Sequence, residues 1–61
     1  MIGSILEWNG ISGRILNIDE GDQVYPFVAA DVVGSIEEKD VVTFDNDGMD
    51  QNSKAVLVTK K

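Results

Sequence analysis

The sequence predicts a small all-β fold, five short strands wound as a Greek-key barrel, and three observations carry that prediction. Short runs rich in β-branched and aromatic residues recur between turn signals. No segment keeps a helical period long enough to stand as a helix. A sheet this small would leave its edges exposed, which a closed barrel avoids. The chain has 61 residues, enough for one domain, and at that size only about 60% of the unfolded surface is buried on folding. Nearly every large apolar residue must therefore serve the core, and none is left to line an enzyme cleft of ordinary size.

The first strand is Ile2 to Trp8. Its alternation is broken: Ile2, Leu6 and Trp8 share one parity, while Ile5 lies on the other with Gly3 and Glu7, so a bulge or tight curvature is expected near Gly3. Asn9-Gly10 is the strongest turn dipeptide in the chain, and with Gly13 close behind, the hairpin loop is expected to run from Asn9 to Ser12. Arg14 to Ile18 is the second strand, closed by the turn Asp19-Glu20-Gly21-Asp22. Gln23 to Ala29 is the third. Pro26 has no N–H to donate, which assigns it to an edge, a bulge or a position whose N–H would face outward. Ala30 to Gly34 either continues that strand or makes a short helical turn. Ser35 and Glu38 stand at capping-box spacing, but Ser35 to Asp40 is too short for a helix and reads as a loop or single turn. Val41 to Phe44 is the fourth strand, with Val42 and Phe44 on one face. Asp45 to Ser53 is a polar hairpin loop, and Ala55 to Thr59 is the fifth strand.

Composition removes several kinds of chemistry. There is no cysteine, so no disulfide, thiol nucleophile or iron–sulfur site, and no histidine, the commonest general base and transition-metal ligand. The carboxylates cluster in turns, with no apolar surroundings to separate their acidities for acid–base work. No catalytic residue, metal site or cofactor is expected. Asp45-Asn46-Asp47-Gly48-Met49-Asp50 echoes the start of a calcium loop, but Gly48 comes early and no glutamate closes the loop, so a solvated turn is expected. Eleven acidic residues against five basic ones give a net charge of -6, which repels phosphate backbones at long range. No apolar run reaches the roughly 20 residues that span a bilayer, and no basic segment precedes an apolar one at the N-terminus, so a cytoplasmic location is expected.

The order of the motifs resembles the cold-shock domain, a compact OB-fold that binds single-stranded RNA and DNA. Gly3 to Asn9, G-S-I-L-E-W-N, is similar to that family's G-K-V-K-W-F-N, and Gly13 to Ile15, G-R-I, to the end of its first RNA-binding motif, K-G-Y-G-F-I. Tyr25 to Val32 resembles the second motif, Glu38 to Phe44 the G-x-x-V-x-F segment, and Lys54 to Val58 the closing G-x-x-A-x-x-V. The resemblance implies a five-stranded OB-fold-like Greek-key barrel over the whole chain. It also implies that the binding chemistry is depleted. Glu7 falls where the family has its surface tryptophan and Trp8 on a framework phenylalanine. Ser12 and Arg14 stand in place of the first motif's aromatics, and the second motif's histidine has no counterpart. Base stacking is worth roughly 1–3 kcal/mol per base, so these losses remove much of the family's affinity.

Arg14, Tyr25 and Phe27, with Lys39 or Lys54, make the smallest patch that would still hold a nucleotide. Tyr25 and Phe27 are the only candidate stacking platform, and they read equally as core residues. Arg14 is expected to clamp a phosphate or stack under a base, or else to pair with Glu7 across the first hairpin. Trp8 reads as the core anchor, with base stacking as its other role. Two functions follow. The first is weak or vestigial single-stranded RNA or DNA binding without catalysis. The second is a protein-interaction or regulatory module that kept the barrel, through a protein partner or self-association. A variant of the second resembles the short cold-shock-like heads that precede membrane helices in some small bacterial proteins, with no membrane contact by these residues themselves.

Overall fold

The computed structural model describes residues 1–19, 21–48 and 54–61, and is all-β. The strands are β1 (Ile2–Trp8), β2 (Ser12–Asn17), β3 (Val24–Val28), β4 (Val32–Val33), β5 (Val41–Asp47) and β6 (Lys54–Lys60), with a 3-10 turn, Ala29–Asp31, between β3 and β4. The third and fourth runs of the sequence thus yield three strands, because Val32–Val33 splits off after the turn. β5 also reaches three residues further than expected, taking Asp45, Asn46 and Asp47 out of the polar loop. Glu20 and residues 49–53, the remainder of two expected turns, lie outside the described residues.

All strands join one sheet, ordered β3-β2-β1-β5-β6-β4. Every neighbouring pair is antiparallel except β4 with β6, which runs parallel through Val32↔Val58 and Val33↔Thr59. The expected barrel is not closed by hydrogen bonds: β3 and β4 form the two ends of the sheet and do not pair. The reason lies in the outer edge of β3. The Asn17 N–H donates to the Gln23 carbonyl and the Ala29 N–H to the Ile11 carbonyl, which fixes the ladder phase. Tyr25 and Phe27 then bond toward β2, while Val24, Pro26 and Val28 turn their backbone groups away from it. Pro26 has no N–H, and the Val28 N–H is taken by the Asp31 Oδ2 atom at 3.0 Å. That edge has too few donors to extend the ladder.

The bulge expected in β1 exists, but not near Gly3. Glu7 and Trp8 pair with Arg14 and Gly13 after the register slips between Ile5 and Glu7, leaving Leu6 as the extra residue. The slip lets Ile5 and Trp8, of opposite parity, both turn toward the core while Leu6 and Glu7 stay outside. Gly3 has a different role. A Cβ there would strike the Ile15 side chain and lie 2.9 Å from Phe44 Cε1, so its bareness admits two core residues. A second slip, between Thr43 and Asp45 on β5, is absorbed on β6 by Leu57, which adopts a left-handed φ of 52° and is largely exposed.

The core gathers Ile5, Ile15, Val42, Phe44, Ala55 and Val58 from the sheet, and Ile36 from the loop 34–40 closes it. That loop is pinned to β1: the Lys39 N–H donates to the Ile5 carbonyl and the Ile5 N–H to the Asp40 carbonyl. No helix among the described residues is long and apolar enough to cross a membrane.

Candidate functional site

The β2–β3 hairpin presents Ser12, Arg14, Val24, Pro26 and Val28 outward, and turns Gly13, Ile15, Tyr25 and Phe27 inward. This corrects the expected aromatic platform. Tyr25 and Phe27 do share a face, but it is the core face, and their residues are 5% and 2% exposed. The Phe27 ring stacks on Trp8, centroids 5.2 Å apart and planes 17° apart, and Tyr25 leans on Phe44 at 5.4 Å and 60°. Only the Tyr25 hydroxyl reaches outward, donating to Gln23 Oε1 at 2.7 Å. Both rings are therefore spent on the core and are not presented to solvent.

Gly13 makes the arrangement possible. A Cβ at that position would abut the Glu7 carbonyl oxygen and lie 2.9 Å from Phe27 Cζ. Without it, the Phe27 ring passes beneath β2 and meets Trp8. Trp8 itself is half-buried: one face completes the core, and part of the ring stays at the surface.

The cations are distributed unevenly. Arg14 pairs with Glu7 across β1 and β2 as a fork, Nε to Oε1 at 2.9 Å and Nη2 to Oε2 at 3.3 Å, as the hairpin reading expected. Lys54 Nζ stands 3.7 Å from Asp31 Oδ1, and the other oxygen of that carboxylate accepts the Val28 N–H. Arg14, Phe27 and Lys54 line one open groove of about 340 Å³, floored by Gly13, Pro26 and Val28. Two of the five candidate residues are not brought there. Tyr25 is sealed in the core, and Lys39 sits in the loop against β1 with a left-handed φ of 72°. In the groove, two carboxylates, Glu7 and Asp31, answer the two cations, so the net charge of -6 is carried elsewhere on the molecule.

A second hollow of about 220 Å³ adjoins the groove, sharing Glu7 and Ser12 with it and completed by Trp8, Asn9 and Glu38. Sequence reasoning missed Glu38, Val28 and Asp31 as lining residues. The outward parity of Val28 was the available signal for one of them; the other two are brought in by loops. No cluster of three or more potential metal ligands occurs among the described residues. Of the calcium-like loop, Asp45, Asn46 and Asp47 lie in β5, while Met49 and Asp50 fall outside the described residues.

Compared with known proteins, the chain matches no family model, no curated protein and no solved structure, so the reading of this site rests on its own geometry.

Proposed function

We propose that this chain is a non-catalytic cytoplasmic interaction module, a cold-shock-like OB-fold domain that contacts another polypeptide through the outward surface of β2 and β3. One observation carries the reading: the rings that would stack bases lie in the core, and the groove that replaces them has each cation held by its own carboxylate. The strand connectivity supports the OB-fold part. A β1–β2–β3 meander, β1 paired with β5, and a parallel β4–β6 pair suit a partly open Greek-key barrel. A single strand would have to displace Glu7 from Arg14 and Asp31 from Lys54, against a net charge of -6, with neither Tyr25 nor Phe27 exposed to stack its bases.

Weak single-strand binding is the second reading, favoured by Arg14 and Lys54 facing one groove. The test is an NMR titration of labelled protein with pyrimidine-rich and mixed oligonucleotides, at low and then physiological salt. The interaction reading expects no shifts across Ser12 to Arg14 or Pro26 to Val28. Shifts centred on Arg14 and Lys54 that fade with salt would replace it with the nucleic-acid reading.

A further inference from the structure

The β2–β3 surface carries information about what kind of partner segment it suits, and the first clue is what its edge lacks. An extended peptide adds to a sheet by exchanging backbone N–H and C=O groups with a free edge. The outer edge of β3 offers the Val24 N–H and the Val24 and Pro26 carbonyls, but Pro26 supplies no donor and the Val28 N–H is already held by Asp31, so one donor is left for the whole strand. Strand addition is blunted there, so a partner must be held by its side chains.

Two adjoining hollows receive them. One has an apolar floor, Pro26 and Val28, between two neutralised ion pairs. The other is lined by the partly exposed Trp8 together with Glu7 and Glu38. Glu7 is shared with Arg14, whereas Glu38 makes no ion pair among the described residues. An aromatic ring flanked by carboxylates suits a cationic side chain. The charge of the whole molecule steers basic partners toward it and opposes a second copy of the same chain. Because the hollows share Glu7 and Ser12, side chains two residues apart on an extended segment, about 7 Å, reach both.

We infer that this surface takes an extended segment of a partner polypeptide that sets a lysine or arginine two residues from an apolar residue, the cation against Trp8, Glu7 and Glu38 and the apolar side chain on Pro26 and Val28. The inference rests on the interaction reading above and names the class of partner.

Trp8 is the only tryptophan, so its emission reports on the site directly. Three end-capped hexapeptides serve as probes, each with serine at the second, fourth and sixth positions: arginine–leucine–arginine at the first, third and fifth in the leucine–arginine peptide, glutamate–leucine–glutamate in the leucine–glutamate peptide, and arginine–serine–arginine in the serine–arginine peptide. The leucine–arginine peptide is expected to change Trp8 emission saturably, with the other two weaker by about tenfold or more. Glu38→Gln should weaken the leucine–arginine peptide about three- to tenfold, with the melting curve unchanged. Asp22→Asn removes the same charge at the opposite end of the β2–β3 hairpin and should change binding less than about twofold. Equal binding of the leucine–glutamate or serine–arginine peptide, equal losses in the two variants, or no response to any peptide would each overturn the inference. Those failures leave the interaction reading in place, since that reading falls only if oligonucleotides shift Arg14 and Lys54.

Discussion

Replacing Gly13 by alanine tests whether the Trp8–Phe27 stack is built on the absence of one methyl group. The added Cβ meets the Glu7 carbonyl oxygen on one side and Phe27 Cζ and Cε1 on the other, at 2.9 and 3.0 Å. Neither neighbour yields easily, because the carbonyl belongs to the bulged backbone of β1 and the ring is wedged against Trp8. Overpacking of this kind costs about 1–3 kcal/mol, and both walls being stiff points to the upper part of that range. Reduced freedom of the unfolded chain returns about 0.4–1 kcal/mol, leaving a net loss of about 2 kcal/mol. A domain of 61 residues has roughly 3–9 kcal/mol in all, so the loss is a large fraction. It corresponds to a fall in Tm of about 8–16 °C. Urea unfolding followed by Trp8 emission measures it, and the native emission should also shift as the stack opens. Gly10→Ala is the control: φ is +90° there but no atom lies within 4 Å of the new Cβ, so only backbone strain, about 1 kcal/mol, is expected. A Gly13→Ala protein within about 0.5 kcal/mol of the parent, with unchanged native emission, would refute the packing account.

Two further outcomes follow from the geometry. Leu57→Gly relieves a left-handed leucine whose side chain packs little, and should raise stability by about 0.5–1 kcal/mol in the same urea experiment; a loss would mean that the Leu57 side chain holds the β6 bulge in place. Arg14→Ala breaks the fork to Glu7, but both side chains are 54% exposed, so the cost should stay at or below about 1 kcal/mol, and a loss near 3 kcal/mol would contradict a solvent-screened pair.

Alternation and turn chemistry carried most of the strand pattern. Asn9-Gly10, the turn residues Asp19, Gly21 and Asp22, and the apolar runs around Ile15, Phe27, Val42 and Val58 each fall where the structure places a bend, turn or strand. The bulges were less legible. The broken parity of β1 signalled one, but its site carries Leu6 and Glu7 and no glycine, and Gly3 drew the assignment away. Leu57 gave no sign of its left-handed backbone, since leucine is among the residues least suited to it. At the site, parity put Tyr25 and Phe27 together, yet in the apolar run Val24-Tyr25-Pro26-Phe27-Val28 alternation alone does not say which face is inside. Chain size did not decide it either, since Ile11, Ile18 and Leu57 are left exposed in the same small domain. The Glu7–Arg14 pair was legible because it is local. Glu38 and Lys54 reach the same surface only through long-range pairing, Glu38 from the loop that bonds to Ile5 and Lys54 from β6.

That last origin bears on when the surface comes into being. The β1–β2–β3 meander joins residues close in sequence and can form early, whereas the β1–β5 and β4–β6 pairings must close much longer loops. Lys54, opposite Asp31, begins β6, which pairs locally with β5 and is brought to the meander only through the long-range β1–β5 and β4–β6 pairings. A chain in which only the meander has formed therefore has the groove's floor but not its far wall. On the proposed reading, both walls exist only once the β5–β6 hairpin has docked on the meander, so a partner that needs both would select fully folded molecules over partly folded ones.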